Sequence, residues 1–139
     1  MKVMAIDYGD AHTGVAVSDR TGTLCGFSTV IDAYRPEVLV ERLRSLIAEH
    51  AVTELVLGHP INMDGTRGPR AEKAEAFAGT LRAATGLGVT LWDERRTTVD
   101  AHNILARNGK RARERKKAVD AVAAALLLEG YLAYKKRNG

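Results

Sequence analysis

The sequence of 139 residues has a single cysteine, Cys25. One thiol cannot close an intrachain disulfide, and no histidine pair stands beside it at zinc-ligand spacing. Cys25 therefore reads as a small buried hydrophobe. Long apolar runs are also missing. The opening "MKVMAIDYGD" reaches aspartate too early for a signal-peptide apolar region, and no later run approaches the about 20 residues of a membrane-spanning helix. A soluble, cytoplasmic protein is the expectation. No internal repeat, low-complexity tract or linker interrupts the chain. With 45% hydrophobic residues it has enough apolar surface for one globular domain, residues 1–139.

Charge of one sign is not scarce, but its excess is small. Lys and Arg number 21 against 17 Asp and Glu, a formal net charge of +4. The distribution says more. From Arg107 to Lys117 the chain reads "RNGKRARERKK". Such a block is either a solvated loop or a surface for phosphates, where Lys110, Arg111, Arg113, Arg115, Lys116 and Lys117 attract a nucleic-acid backbone without reading its sequence.

The hydrophobic patterning predicts strands at Lys2–Tyr8, over "TGVAVSD" and over "LCGFSTVI", joined by short turns as an antiparallel meander. A helix starts at Pro36, with Val38, Leu39, Leu43, Leu46 and Ile47 on its apolar face. "ELVLGHP" is a short strand, "INMDGTRGPRA" a polar loop, and Arg70–Ala84 a second helix. "VTLWDE" is a fifth strand. Thr97 and Thr98 start a short helix, helical from Asp100 to Arg107. After a basic loop comes a long apolar helix, Ala118–Tyr134, and then a frayed, functionless "KKRNG". The order β-β-β-α-β-α-β-α-α implies an α/β fold, a five-stranded mixed sheet flanked by helices on both faces.

Three acidic positions stand in apolar surroundings. Asp7 ends the first strand. Holding an ionised carboxylate against a core costs several kcal/mol unless turn amides or a cation compensate. Asp120 lies near the start of a helix apolar almost all round. It either complements the helix dipole or faces a site with a bound cation. Asp93 and Glu94, in "LWDERRTT", end the fifth strand, where functional groups of open sheets collect. Two such charges 4 Å apart repel by about 4 kcal/mol at an effective dielectric of about 20. Converging carboxylates therefore call for divalent cations or raised pKa values. All-oxygen ligands select Mg²⁺ or Mn²⁺, and two such ions clamp the oxygens of a phosphodiester displacement. An acidic cluster beside a basic block suggests a nuclease. Strand alternation puts Asp93 and Glu94 on opposite faces and does not say which enters the pocket.

Four segments carry a resemblance: "AIDYGDAHTGVAVSD", "LVLGHPINMDGTRGP", "DERRTTVDA" and "KKAVDAVAAALLLEGYL". In that order and spacing they resemble the YqgF family of Holliday-junction-resolvase-like proteins, the pre-16S ribosomal RNA nucleases, over nearly the whole chain. The resemblance implies a ribonuclease H-like fold. It implies a nuclease dependent on Mg²⁺ or Mn²⁺, with metal-binding, catalytic carboxylates at Asp7, Glu94 and Asp120. The implied work is 5′-end processing of the small-subunit ribosomal RNA precursor, with action on branched or single-stranded nucleic acid suggested by relatives. Asp93 then becomes a supporting group that bonds loop amides or Arg95. The chain departs from the family pattern at Ala11, His12 and Thr13, at His59 and at Arg96. His12 is expected to keep part of a phosphate contact, and no proposed carboxylate is lost.

The remaining candidates have plain alternatives. Gly9 and Gly14 either let a phosphate approach closely or are ordinary hairpin glycines. Asn62, Asp64 and Thr66 either bond a nucleotide or cap the next helix. Arg95 holds a phosphate or fastens a loop. His12, His59 and His102 could each be a general base, which two-metal hydrolysis does not require, and are otherwise expected at the surface; Trp92 is expected in the core rather than as a base-stacking platform. A homodimer would suit two-fold branched DNA. The rival to an enzyme is a non-catalytic RNA-binding ribosome-assembly factor. A phosphate loop of an actin-like kinase or ATPase is disfavoured, because such proteins need two of these domains.

Overall fold

A computed structural model of the chain describes residues 2–93 and 112–138, without the side chains of 112–120 and 138. Five strands form one sheet: β1 (Val3–Asp7), β2 (His12–Ser18), β3 (Cys25–Asp32), β4 (Glu54–His59) and β5 (Val89–Asp93). The helices described are α1 (Pro36–His50), α2 (Pro69–Thr85) and α3 (Ala112–Asn138). Strand order is β3-β2-β1-β4-β5. The first three strands form the antiparallel meander, and β4 and β5 run parallel to β1. α1 and α2 are the crossovers that parallel pairing requires. The fold is ribonuclease H-like.

The pleat sorts each strand between two cores. Met4, Ile6, Val15, Val17, Leu55, Leu57 and Val89 face α1 and α2, where they meet Leu39, Leu43, Phe77 and Leu81. Val3, Ala5, Ala16, Val56 and Trp92 face α3, where they meet Ala124, Leu127, Leu128, Tyr131 and Leu132. β1 and β4 are thus covered on both sides, which explains their unbroken apolar runs. α2 ends where expected, at Gly86, whose φ of 73° is cheap only for glycine.

Several expectations change. In α1, Val38 is exposed and Val40 is buried instead. α3 starts at Ala112, so residues 112–117 of the expected basic loop are helical; Arg, Lys, Glu and Ala are good helix formers and extend the helix. The C-terminal residues are not frayed. α3 continues to Asn138, and Lys135 Nζ donates to Glu54 Oε1 at 2.5 Å, while the Tyr131 hydroxyl donates to Oε2. Burial raises the Glu54 carboxyl, but these two hydrogen bonds outweigh it and the net shift is downward. Cys25 is only half-buried, because it opens the edge strand β3; its thiol donates to the Phe27 carbonyl at 3.3 Å. Trp92 is in the core, edge-on to Tyr131 with ring centroids 5.5 Å apart. The helix expected over 100–107, with its start at Thr97 and Thr98, lies outside the described residues. No described helix is long and apolar enough to cross a membrane.

Leu128 is fully buried against the sheet. Leu128→Ala is expected to lower the unfolding free energy by about 3 kcal/mol. Val38→Ala should change it by less than about 0.5 kcal/mol. Urea denaturation of the two variants checks both, and equal losses would contradict this division between core and surface.

Candidate active site

β1, β4 and β5 are parallel and end at one edge of the sheet, with Asp7, His59 and Asp93 as their last residues. Their faces differ. Asp7 follows Val3 and Ala5 at two-residue steps, so it stands half-buried on the α3 face. Asp93 follows Val89 at the same step and stands on the α1–α2 face, while Trp92 faces α3. The two aspartates are therefore separated by the sheet. Glu94 and Arg95 lie outside the described residues.

Glycines flank Asp7 in the sheet. Its partner on β2 is Gly14. On β4, Ile6 pairs with Leu57, so one step on, Gly58 flanks Asp7 from the other side. A strand side chain normally has cross-strand neighbours within about 5.5 Å. Asp7 has hydrogen atoms in both places, so no cross-strand side chain crowds it on β2 or β4.

α3 runs down this face from the carboxyl edge. Near its far end, Glu129 accepts the Cys25 backbone N–H at 3.2 Å, and Lys135 reaches Glu54, both at the opposite edge of the sheet. Through β2, Cys25 lies level with Val3. A helix rises about 1.5 Å per residue and a strand about 3.3 Å. Nine residues back from Glu129 and four steps from Val3 to Asp7 both amount to about 13 Å. The backbone of position 120 thus lies about level with Asp7, on the stripe that continues as Ala124, Leu127 and Tyr131. Arg113, Arg115, Lys116 and Lys117 belong to the first turns of α3, and Lys110 and Arg111 lie outside the described residues. Among the described residues no three His, Cys, Asp or Glu side chains gather as metal ligands.

The loop between β4 and α2 is closed on itself. Asn62 Nδ2 donates to Thr66 Oγ1 at 3.0 Å, and Thr66 N and Oγ1 donate to Asp64 Oδ1 at 2.9 and 2.6 Å. The Thr66 bonds hold the Asp64 carboxyl below its ordinary range. None of these residues caps α2, whose N-cap is Gly68. His59, expected at the surface, is mostly buried. Its Nε2 sits 2.6 Å from Glu75 Oε2, and Arg67 grips the same carboxylate with Nε, at 2.7 Å, and Nη2. The fork from Arg67 first, and His59 second, hold Glu75 down to about 2. Nothing in the spacing of Arg67, Glu75 and His59 announces this clamp.

Beside the loop is a cleft of about 120 Å³, lined by Tyr8, Gly9, Asp10, Gly58, Arg70 and Lys73 among others. A Cβ on Gly9 would sit 2.2 Å from the His12 carbonyl oxygen, so only glycine fits that turn. Lys73 bridges to Asp10 at 3.3 Å. Gly9 stands out in the sequence, whereas Arg70 and Lys73 carry no signal beyond membership of the expected helix. His12 is partly exposed at the start of β2, paired with Asp32 at 2.6 Å.

Residues 1–134 match the family described as "RuvX: Holliday junction resolvase". The chain belongs to the RuvX family. A relative from Carboxydothermus hydrogenoformans is 44% identical over 99% of this chain and 100% of its own length, and one from Geobacillus thermodenitrificans is 44% identical over 98% and 100%. Each carries the name "Putative pre-16S rRNA nuclease". Among solved structures, RuvC of T. thermophilus in complex with Holliday junction substrate aligns over 96% of both chains, with a TM-score of 0.60 and 17% identity. At that identity the likeness shows the fold.

The Glu75 clamp predicts a pH dependence of stability. Its carboxyl is lowered from 4.5 to about 2 in the folded chain. The stabilisation is therefore fully present above about 4.5 and lost as pH falls toward about 2. Glu75→Gln should flatten the fall of the urea midpoint across that window. Parallel curves for parent and variant would contradict the clamp.

Proposed function

We propose that this RuvX-family chain is a metal-dependent nuclease that hydrolyses phosphodiester bonds at the carboxyl edge of its sheet. The observation that carries the reading is Asp7, a half-buried carboxylate with glycine on either side, under the first turns of α3. The family resemblance gives Glu94 and Asp120 as the other two carboxylates, and the backbone of position 120 lies about level with Asp7. Asp7, Glu94 and Asp120 would hold Mg²⁺ or Mn²⁺, because the donor set is all oxygen and the glycine floor leaves room for an ion. Bound there, the ion supplies Lewis-acid stabilisation of negative charge on the phosphoryl oxygens.

The chain's own residues do the rest. Asp7 and its two partners fix where the scissile phosphate sits. Lys110, Arg111, Arg113, Arg115, Lys116 and Lys117, together with Arg95, take the backbone phosphates on either side, which makes binding fall steeply with salt. Gly9, Gly14 and Asn62 line the approach from the β1–β2 turn and the β4–α2 loop. Asp93, on the other face, supports the strand end. The names of its relatives point to the precursor of 16S ribosomal RNA as substrate, in the cytoplasm. Branched or single-stranded nucleic acid is the second substrate class, and it would suit a homodimer.

The test is cleavage of labelled RNA and DNA with Mn²⁺ present. Asp7→Asn is expected to slow cleavage by about 10³-fold, the equivalent of about 4 kcal/mol of transition-state stabilisation. Asp93→Asn should lose less than about tenfold. Asp7→Asn cleaving as fast as the parent would sink the reading. Salt-sensitive RNA binding with no cleavage by either protein would favour a ribosome-assembly factor instead.

A further inference from the structure

Beyond the three carboxylates, the α3 face carries a second polar pair at the same edge. His12 follows Gly14 and Ala16 outward along β2 at two-residue steps, so it shares their face with Asp7. It pairs with Asp32 on β3, the register partner of His12, and Ile31 beside Asp32 belongs to the opposite core. Nδ1 of His12 lies 2.6 Å from Asp32 Oδ1. Because Asp7 pairs with Gly14, His12 is its diagonal neighbour across the β1–β2 ladder, about 7–8 Å away. No side chain stands between them at the Gly14 position.

A carboxylate only accepts hydrogen bonds, so Asp32 fixes the proton on Nδ1 of the neutral ring. Nε2 then keeps its lone pair, and among the described residues it has no partner. The side chain is 32% exposed, on the face of the sheet that also carries Asp7. Among the described residues the charged groups on its side of the sheet edge are Asp32 from β3 and Asp7 from β1. The arrangement is a base held in one tautomer by an acid, beside a carboxylate that positions a phosphate.

We propose that His12 is the proton acceptor for the attacking water, with Asp32 as its positioning residue. This rests on the nuclease reading above. In the step, the water oxygen forms a bond to phosphorus and its proton passes to His12 Nε2. The bond from phosphorus to the leaving ester oxygen breaks, that oxygen takes a proton from solvent, and His12 returns its proton to solvent.

The experiment measures cleavage of a labelled RNA by the full chain with Mn²⁺, across pH, for the parent, Asp7→Asn, His12→Gln and Asp32→Asn. His12→Gln is expected to lower kcat by about 100-fold with KM changed by less than about threefold, and to abolish the acidic limb of the pH profile. Asp32→Asn should lose about tenfold, since the ring is then free to take the other tautomer. Both should unfold at the parent's urea midpoint. If His12→Gln unfolds early, His12→Ala with added imidazole replaces it, and recovery of rate with imidazole supports the assignment. Parent-like kcat in His12→Gln, or a slowed rate with the acidic limb intact, overturns this assignment alone when Asp7→Asn is inactive. No cleavage by the parent overturns the nuclease reading and the role of His12 with it.

Discussion

α3 lies against a strip of small side chains, and everything at the carboxyl edge depends on that contact. Ala5 on β1, Ala16 on β2 and Ala124 on α3 are fully buried together. Small residues allow a helix to come close to a sheet, and Leu127, Leu128 and Leu132 then fill the space to either side. Close approach fixes the rotation of α3, and the ties of Glu129 to Cys25 and of Lys135 to Glu54 fix its height. With both set, the first turns of α3 come level with Asp7. The backbone of those turns is carried to the sheet edge by packing that occurs further along the helix.

The pleat supplies the second constraint. It places Asp7 among Val3, Ala5, Gly14 and Gly58, and sends Asp93 to the other face with Val89. The two sides of the edge then differ in chemistry. The α3 side holds Asp7 and the His12–Asp32 pair. The α2 side holds the His59–Glu75–Arg67 clamp and the cleft with Arg70 and Lys73. The clamp ties the β4–α2 loop to a helix, so the edge is firm on the side away from the proposed chemistry.

Much of this was legible in the sequence. The apolar runs ending at Asp7, His59 and Asp93 gave the strands, and the change from period two to helical spacing at Pro36 gave the mixed sheet. Alternation separated Asp93 from Glu94 but was silent on which face mattered, because both faces of β1, β4 and β5 are covered. That information is in the register: Trp92 and Asp7 share a face only because β4 connects their strands in parallel at the observed offset. The extended start of α3 was missed because a dense run of basic residues resembles a solvated loop, although the same residues favour helix. Lys135 looked like a terminal charge, and only Glu54, 81 positions earlier, gives it a partner. The buried clamp of His59 was equally invisible, since its partners come from another helix and a loop.

The proposed nuclease would hold a divalent cation on the α3 face of the sheet edge through Asp7, Glu94 and Asp120. A crystal grown with Mn²⁺ and measured for anomalous scattering tests it most directly. Manganese is expected in contact with Asp7 between β1 and α3, with Glu94 and Asp120 as further ligands and Asp93 not among them. Manganese held by Asp93 on the α2 side, or no manganese at Asp7 at saturating concentration, would contradict it.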